Sequence, residues 1–348
     1  MIEIINYNND EKWDKTVKSF NDWDVYYLNG YVYPFFLHGD GEPVLIYYES
    51  NELRGICVLM MRDIKIDNGN TENYFDMITP YGYGGFIFEG EKTEKNIETF
   101  YNEYQSKLKE LGVISVFYRF HPQLNNAHYL DNQIEVIDLG KTIEMFLDSE
   151  ESIMSNMHSK NRNTVRKAIK NNVLIKHGLT HDLLESFMDI YNSTMDRDEA
   201  DSYYYFDNSF YNALEEKMND NLEVFYAEHD NNIIAMSLIL YGNGRLHYHL
   251  SGSNMEGRRL SATNLLLYEV AKWGSQNGYK TFHLGGGVGS KEDGLFSFKK
   301  VFNKESDLRF SIGKQIVDQE KYDQLVKYRK EKDTKFDDNS GFFPLYRS

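Results

Sequence analysis

Leu246 to Phe302 reads LHYHLSGSNMEGRRLSATNLLLYEVAKWGSQNGYKTFHLGGGVGSKEDGLFSFKKVF. An alternating strand runs into a Gly/Ser/Asn turn, then an amphipathic helix, then a second strand that ends on Gly285, Gly286 and Gly287. This order suits a site between two neighbouring strands, where a ligand carbonyl approaches main chain that carries no obstructing side chain. It points to acyl transfer.

Working outward, the pattern has a partner earlier in the chain. Residues 43–64, PVLIYYESNELRGICVLMMRDI, read as a hairpin, and residues 222–252 repeat the idea as strand, turn, strand, turn, strand. Downstream, IETFYNEYQSKLKELGVISVFYRF at 97–120 mirrors NLLLYEVAKWGSQNGYKTFHLGG at 264–286: a helix, a glycine at Gly112 or Gly278, then a strand. The reading is a duplicated α/β unit of mixed α+β class. The plain alternative is that any protein of this class contains hairpins and helix–strand pairs. The expected domains are 1–140 and 141–324, with a charged helix and an aromatic tail, 325–348, that returns to the first domain.

Composition bounds the function. The chain has 348 residues, enough for two cores, with 41% apolar residues and only 5 prolines, so it reads as folded and globular. Cys57 is its single cysteine, which excludes an internal disulfide. The net charge of −16 opposes extended binding to a nucleic-acid backbone, and no DNA partner is expected. Neither a leader-like start nor a run of ~18 apolar residues is present. A cytoplasmic protein with no transmembrane segment is the expectation.

Against this acidic background, SKNRNTVRKAIKNN at 159–172 is a compact basic patch. Ser159 is placed to cap its helix, and Lys160, Arg162 and Arg166 are candidates to clamp a phosphorylated ligand. A solvated helix face is the plain alternative. In HYHLSGS, alternation puts His247, His249, Ser251 and Ser253 on one strand face, with His249 and Ser251 as catalytic candidates. A satisfied structural histidine is the alternative there. No cysteine or nearby carboxylate completes a metal set around the histidines, so no metal is expected.

LGGGVGS lacks Walker spacing, and SKEDGLF does not read as opening a helix, so Gly285 and Gly286 are taken as a bare strand end facing the donor. In FSFKKVF, alternation sends one lysine inward. In the first unit, Tyr81 and Tyr83 in ITPYGYGGFIF, with Arg119 and His121 after a strand, are acceptor-binding candidates, or simply packing residues. Arg197 and Tyr204 belong to an aromatic loop, MDRDEADSYYYF, positioned to close over a site.

These segments together resemble the Fem-type branch of the GNAT superfamily, tandem GNAT proteins that include peptidoglycan-bridge aminoacyltransferases. The resemblance spans nearly the whole chain and is carried by SKNRNTVRKAIKNNV, HLSGS with its following helix, FHLGGG and GLFSFKKVF. It implies two GNAT-like domains, each a twisted, mostly antiparallel sheet flanked by helices, and an N-acyltransferase with its cleft in the second. The donor's acyl arm would enter between strands 245–252 and 279–285. It also implies a catalytic role for Lys299 and donor contacts from Lys160, Arg162 and Arg166. GRRLSATN holds a degenerate form of the acetyl-CoA loop through Arg258 and Arg259. The implied donors are acetyl-CoA or another acyl-CoA, or aminoacyl-tRNA offered at its 3′ end. The implied acceptor is an amine of a small molecule, glycan or peptide precursor, as in cell-envelope synthesis. An aminoacyl-tRNA-dependent bridge enzyme and a non-catalytic tandem GNAT ligand-binding protein are the alternatives.

Overall fold

The computed structural model describes residues 1–65 and 73–348. They form two compact units, Met1–Leu139 with Phe310–Ser348, and Gly140–Arg309. The second junction falls before the expected residue 324. Ile312 to Ile316 pair with a strand of the first unit, so the chain has already returned there.

In chain order, the first segment provides β1 (Ile2–Asn6), α1 (Asp10–Lys18), α2 (Asn29–His38), β2 (Glu42–Glu49), β3 (Leu53–Ile64), β4 (Tyr74–Ile78), β5 (Ile87–Gly90), α3 (Glu94–Glu110) and β6 (Val113–Arg119). After β7 (Glu135–Phe146) come α4 (Glu150–Asn156), α5 (Ser159–Lys170), β8 (Leu174–Gly178), α6 (His181–Arg197), α7 (Asn208–Lys217), β9 (Leu222–His229) and β10 (Asn232–Gly242). Then follow β11 (Arg245–Ser253), α8 (Met255–Leu260), α9 (Ala262–Gln276), β12 (Thr281–Gly285) and α10 (Gly294–Lys300). The return segment adds β13 (Leu308–Ile316) and α11 (Gln319–Lys332).

The first unit orders its strands β1-β2-β3-β4-β6-β13, with β5 paired back on β3. The second orders them β7-β12-β11-β10-β9-β8. Each sheet is antiparallel except for one parallel pair, β4–β6 in the first unit and β11–β12 in the second. A parallel pair needs a long crossover, and α3 and α8–α9 supply it. Ile97, Phe100, Tyr104 and Leu108 recur at helical spacing along α3 and bury against Ile46, Cys57, Leu59 and Val116. In the second unit, Leu265, Leu266, Val270 and Ala271 of α9 cover Ile143, Met145, Leu246 and Phe282 on one sheet face, with Val165 and Ala168 of α5 in the same cluster.

Two local expectations are corrected. Ser159 is the first helical residue of α5 rather than its cap; His158 occupies the cap position with no side-chain hydrogen bond. FSFKKVF is not an alternating strand. Asp293 accepts from the Phe296 N–H and opens helix α10 within the segment that read as non-helical.

Gly257 shows how closely α8 is seated on the sheet. A Cβ there would lie 2.1 Å from the Ile234 carbonyl oxygen. Backbone cannot yield as a side-chain tip can, so Gly257→Ala is expected to lose about 2 kcal/mol of stability, read as a lower midpoint of urea unfolding.

Candidate active site

The site follows from how β11 is held on its two sides. Against β10 it pairs along its whole length, from Arg245↔Gly242 to Ser253↔Ala235. Leu238 faces Leu250 while Ile239 faces Tyr248, so His249 is an extra, bulged residue. Against β12 it pairs only at Arg245↔Thr281, Leu246↔Phe282 and His247↔His283. Beyond His247, β11 runs on to Ser253 with no strand paired on that side among the described residues, and at its far end the Ser253 N–H donates to Thr194 Oγ1 at 3.0 Å. Meanwhile β12 stays on β7 through Gly285↔Ile143, with a register shift that leaves Leu284 extra. The two strands therefore part, each held by its outer neighbour, and the main-chain polar groups of β11 that face the opening have no ladder to join.

The corresponding seam in the first unit is closed. There β4 and β6 pair from Phe75↔Val113 to Ile78↔Phe117. Thr79 N–H then donates to the Phe117 carbonyl at 3.0 Å, Gly84 N–H to that of Arg119 at 2.7 Å, and His121 N–H to that of Gly84 at 3.0 Å.

The bulge overturns the one-face reading of the HYHLSGS strand. Leu246 and Tyr248 pack with the α9 core, while His247 stands opposite His283 with ring centroids 6.1 Å apart. Past the bulge the phase inverts, and Ser251 comes to the side of Tyr248: the phenol lies against the hydroxyls of Ser251 and Ser237. Ser251 Oγ donates to the Met236 carbonyl at 3.0 Å and accepts from Ser237 Oγ at 2.9 Å. His249 sits at the bulge, where burial, and then His247, push its pKa down to about 3. It is a neutral imidazole at working pH and a weak base.

Lys299 reaches the same face as Tyr248. It is 8% exposed, its ammonium donates to the Gly286 carbonyl at 2.7 Å, and it stands 5.9 Å from the centroid of the Tyr248 ring. Burial lowers its pKa to about 8, with Asp293 opposing. Gly286 and Gly287 are bare for reasons internal to the fold. A Cβ at Gly286 would lie 2.9 Å from the Lys141 carbonyl, and one at Gly287 would lie 2.0 Å from that of Lys291. Gly285 has φ +78, the left-handed region. Asp293 clamps the loop through the Val288 and Phe296 N–H groups, which hold its carboxyl below the usual carboxylate range.

The donor end has a second element. Ser261 has φ +57 and joins α8 to α9 with no side-chain cap on the α9 start. It adopts the left-handed conformation although it is not glycine. The first N–H groups of α9 are thus presented at a helix start, a favourable place for phosphate. Asn264, in that first turn, donates to Asn161 of α5 at 2.8 Å, which docks the basic helix beside it. Lys160 and Arg166 are exposed, as are Arg258 and Arg259, the latter engaged with Glu256 at 3.2 Å. Arg162 instead donates to the carbonyls of Met154 and Met157 and ties α5 to the end of α4. The residues present fit a phosphorylated acyl donor.

Of the acceptor candidates, Arg197 donates to the Ser253 carbonyl at 2.9 Å and braces α6 on β11, and Tyr204 is exposed. In the first unit, Tyr83 packs near Tyr26, His121 and Phe310, and Tyr81 stacks on Phe35. His121 is fully buried 3.4 Å from the equally buried Asp24, and Arg119 lies over Phe117. Sequence reading missed Tyr248, Ser237 and Asp24. The bulge that recruits Tyr248 and the strand neighbour that brings Ser237 leave no mark in a period-two pattern.

Lys299 sheds its proton in the folded state near pH 8 but in the unfolded chain near ~10.4. Folding therefore loses a proton in that window, and the lysine's contribution to stability rises with pH across it. Lys299→Met should be stabilised relative to wild type most at pH 7, by up to about 3 kcal/mol. That difference should shrink by pH 10 in paired urea titrations.

Residues 159–299 match the family model described as Acetyltransferase (GNAT) domain. A comparison with curated proteins returned no match. Among solved structures, FemX aligns with TM-score 0.68 at 15% identity, covering 92% of this chain and 99% of FemX. The C-terminal domain (DUF2156) of a putative lysylphosphatidylglycerol synthetase from Agrobacterium fabrum aligns with TM-score 0.55 at 13% identity, covering 88% and 92%. A tandem GNAT protein from the clavulanic acid biosynthesis pathway aligns with TM-score 0.50 at 8% identity, covering 91% and 99%. Residues 159–299, which include the split strands, are thus a GNAT acyltransferase domain, and the chain has the fold of FemX and of a tandem GNAT protein.

Proposed function

We propose that the second unit takes an acyl-CoA-type thioester into the gap between β11 and β12 and transfers its acyl group to the amine of a small molecule, glycan or peptide precursor of the cell envelope, in the cytoplasm. The observation that carries this reading is the parting of two parallel strands after His247↔His283. When bound, the thioester supplies an activated carbonyl. Gap-facing N–H groups of β11 donate to that oxygen, and because they are held in place by the β10 ladder no reorganisation is needed as charge develops. The N–C bond forms, the C–S bond breaks, the amine loses a proton and the departing thiolate gains one. Lys299, with a pKa near 8, is matched to donate that proton. His249, held neutral, is suited to hydrogen bonding rather than to carrying the amine's proton. Ser261, the start of α9, Lys160, Arg166 and Arg258 hold the phosphates of the donor. Tyr204 is an acceptor contact.

An aminoacyl ester on a tRNA 3′ end is the second reading of the donor. It is favoured by the likeness to FemX and to a domain named for lysylphosphatidylglycerol synthesis.

Two measurements test the proposal. In a panel of labelled acetyl-CoA, longer acyl-CoAs and charged tRNAs with amine acceptors, transfer from acyl-CoA supports the first reading, transfer from tRNA alone replaces it with the second, and transfer from neither overturns both. With a working donor, kcat should fall as pH rises through about 8, and that limb should vanish from the residual activity of Lys299→Met. The double variant Lys160→Gln, Arg166→Gln should raise the KM for acyl-CoA about 10-fold with little change in kcat. It should leave the KM for an acyl N-acetylcysteamine thioester, which lacks the phosphates, unchanged.

A further inference from the structure

The gap has a wide end and a closed end, and that asymmetry constrains what it can hold. The strands separate toward Ser253 and Gly285, where the α9 start and the glycine loop lie, and they meet at the His247↔His283 rung. A donor held by its phosphates at the wide end points its acyl substituent toward the rung. The first β11 side chain beyond that rung is Tyr248.

We propose that Tyr248 is the specificity-determining residue that limits acyl length, closing the narrow end of the gap to all but short acyl groups. This rests on the reading of the gap as the acyl-donor site. The ring, half-buried, is held by three sets of neighbours. It packs against the α9 core, Lys299 stands over it at 5.9 Å, and its hydroxyl lies against Ser251 and Ser237. Those serines are themselves fixed, Ser237 donating to Ser251 at 2.9 Å and Ser251 to the Met236 carbonyl at 3.0 Å. Lys299 in turn is anchored on the Gly286 carbonyl at 2.7 Å. A side chain restrained by packing, a cation and buried hydroxyls does not swing aside to admit a longer chain, as a Met or Leu in its place could.

The test measures kcat/KM for acetyl-, butyryl- and octanoyl-CoA with wild type, Tyr248→Phe, Tyr248→Leu and Tyr248→Ala. Wild type should favour acetyl over octanoyl. Tyr248→Phe, which keeps the ring, should retain that length preference. Tyr248→Ala should raise the octanoyl-to-acetyl ratio by about 10-fold or more, with Tyr248→Leu in between. Should the alanine variant fail to fold, as judged by its melting curve, the leucine variant supplies the reading. An unchanged ratio in the folded small-residue variants, or a wild type that uses octanoyl as well as acetyl, overturns the role of Tyr248 and leaves the acyl-CoA reading standing. Absence of turnover with every acyl-CoA overturns that reading and this inference together.

Discussion

Everything in the second unit depends on a contest between ladders. A strand can satisfy its backbone on both edges only if both neighbours run with it, and β11 and β12 each follow the neighbour that holds them longer. Pairing with β10 along its whole length, with the bulge at His249, draws β11 one way; the β7 pairing draws β12 the other. Hydrogen-bonding groups of β11 are left facing an opening, which in most folds is a defect. In the function proposed for this unit it is the acyl-binding surface, since these groups are held rigid by the β10 ladder and already aimed.

Buried charge follows the same logic. Lys299 is nearly enclosed beside a carbonyl rather than a carboxylate, a costly arrangement that lowers its pKa toward neutrality. In the first unit the buried carboxylate of Asp76 is instead fully countered, by Arg62 and Arg347 with the Tyr346 hydroxyl in attendance. One unit compensates its buried charge; the other leaves a buried ammonium whose pKa falls toward neutrality.

Much of this was legible in the sequence. The hairpin at 43–64, the meander at 222–252 and the two helix–strand crossovers emerge from periodicity, because apolar burial imposes periods of 2 and 3.6 on any chain that must form a core. The gap itself was foreshadowed by strand, turn, helix and glycines in succession. What escaped detection depends on long-range register. One extra residue at His249 brings Ser251 to the face of Tyr248, and FSFKKVF gives way from strand to helix because Asp293 offers a cap. The glycines after Leu284 were also read for a ligand, whereas carbonyls of Lys141 and Lys291 already require them bare. Ser261 shows the converse: a residue other than glycine that holds the left-handed conformation glycine favours.

The assignment of residues 310–348 to the first unit has a consequence for biosynthesis. That unit lacks the β13 partner of β6, and the cover that Tyr322, Leu325 and Tyr346 give Ile114, until the last part of the chain has left the ribosome. The second unit is continuous in sequence and can be completed earlier. Domains usually mature in the order of their synthesis; here the half made first is finished last, and its open β6 edge must be kept from other strands for the time it takes to translate the second unit.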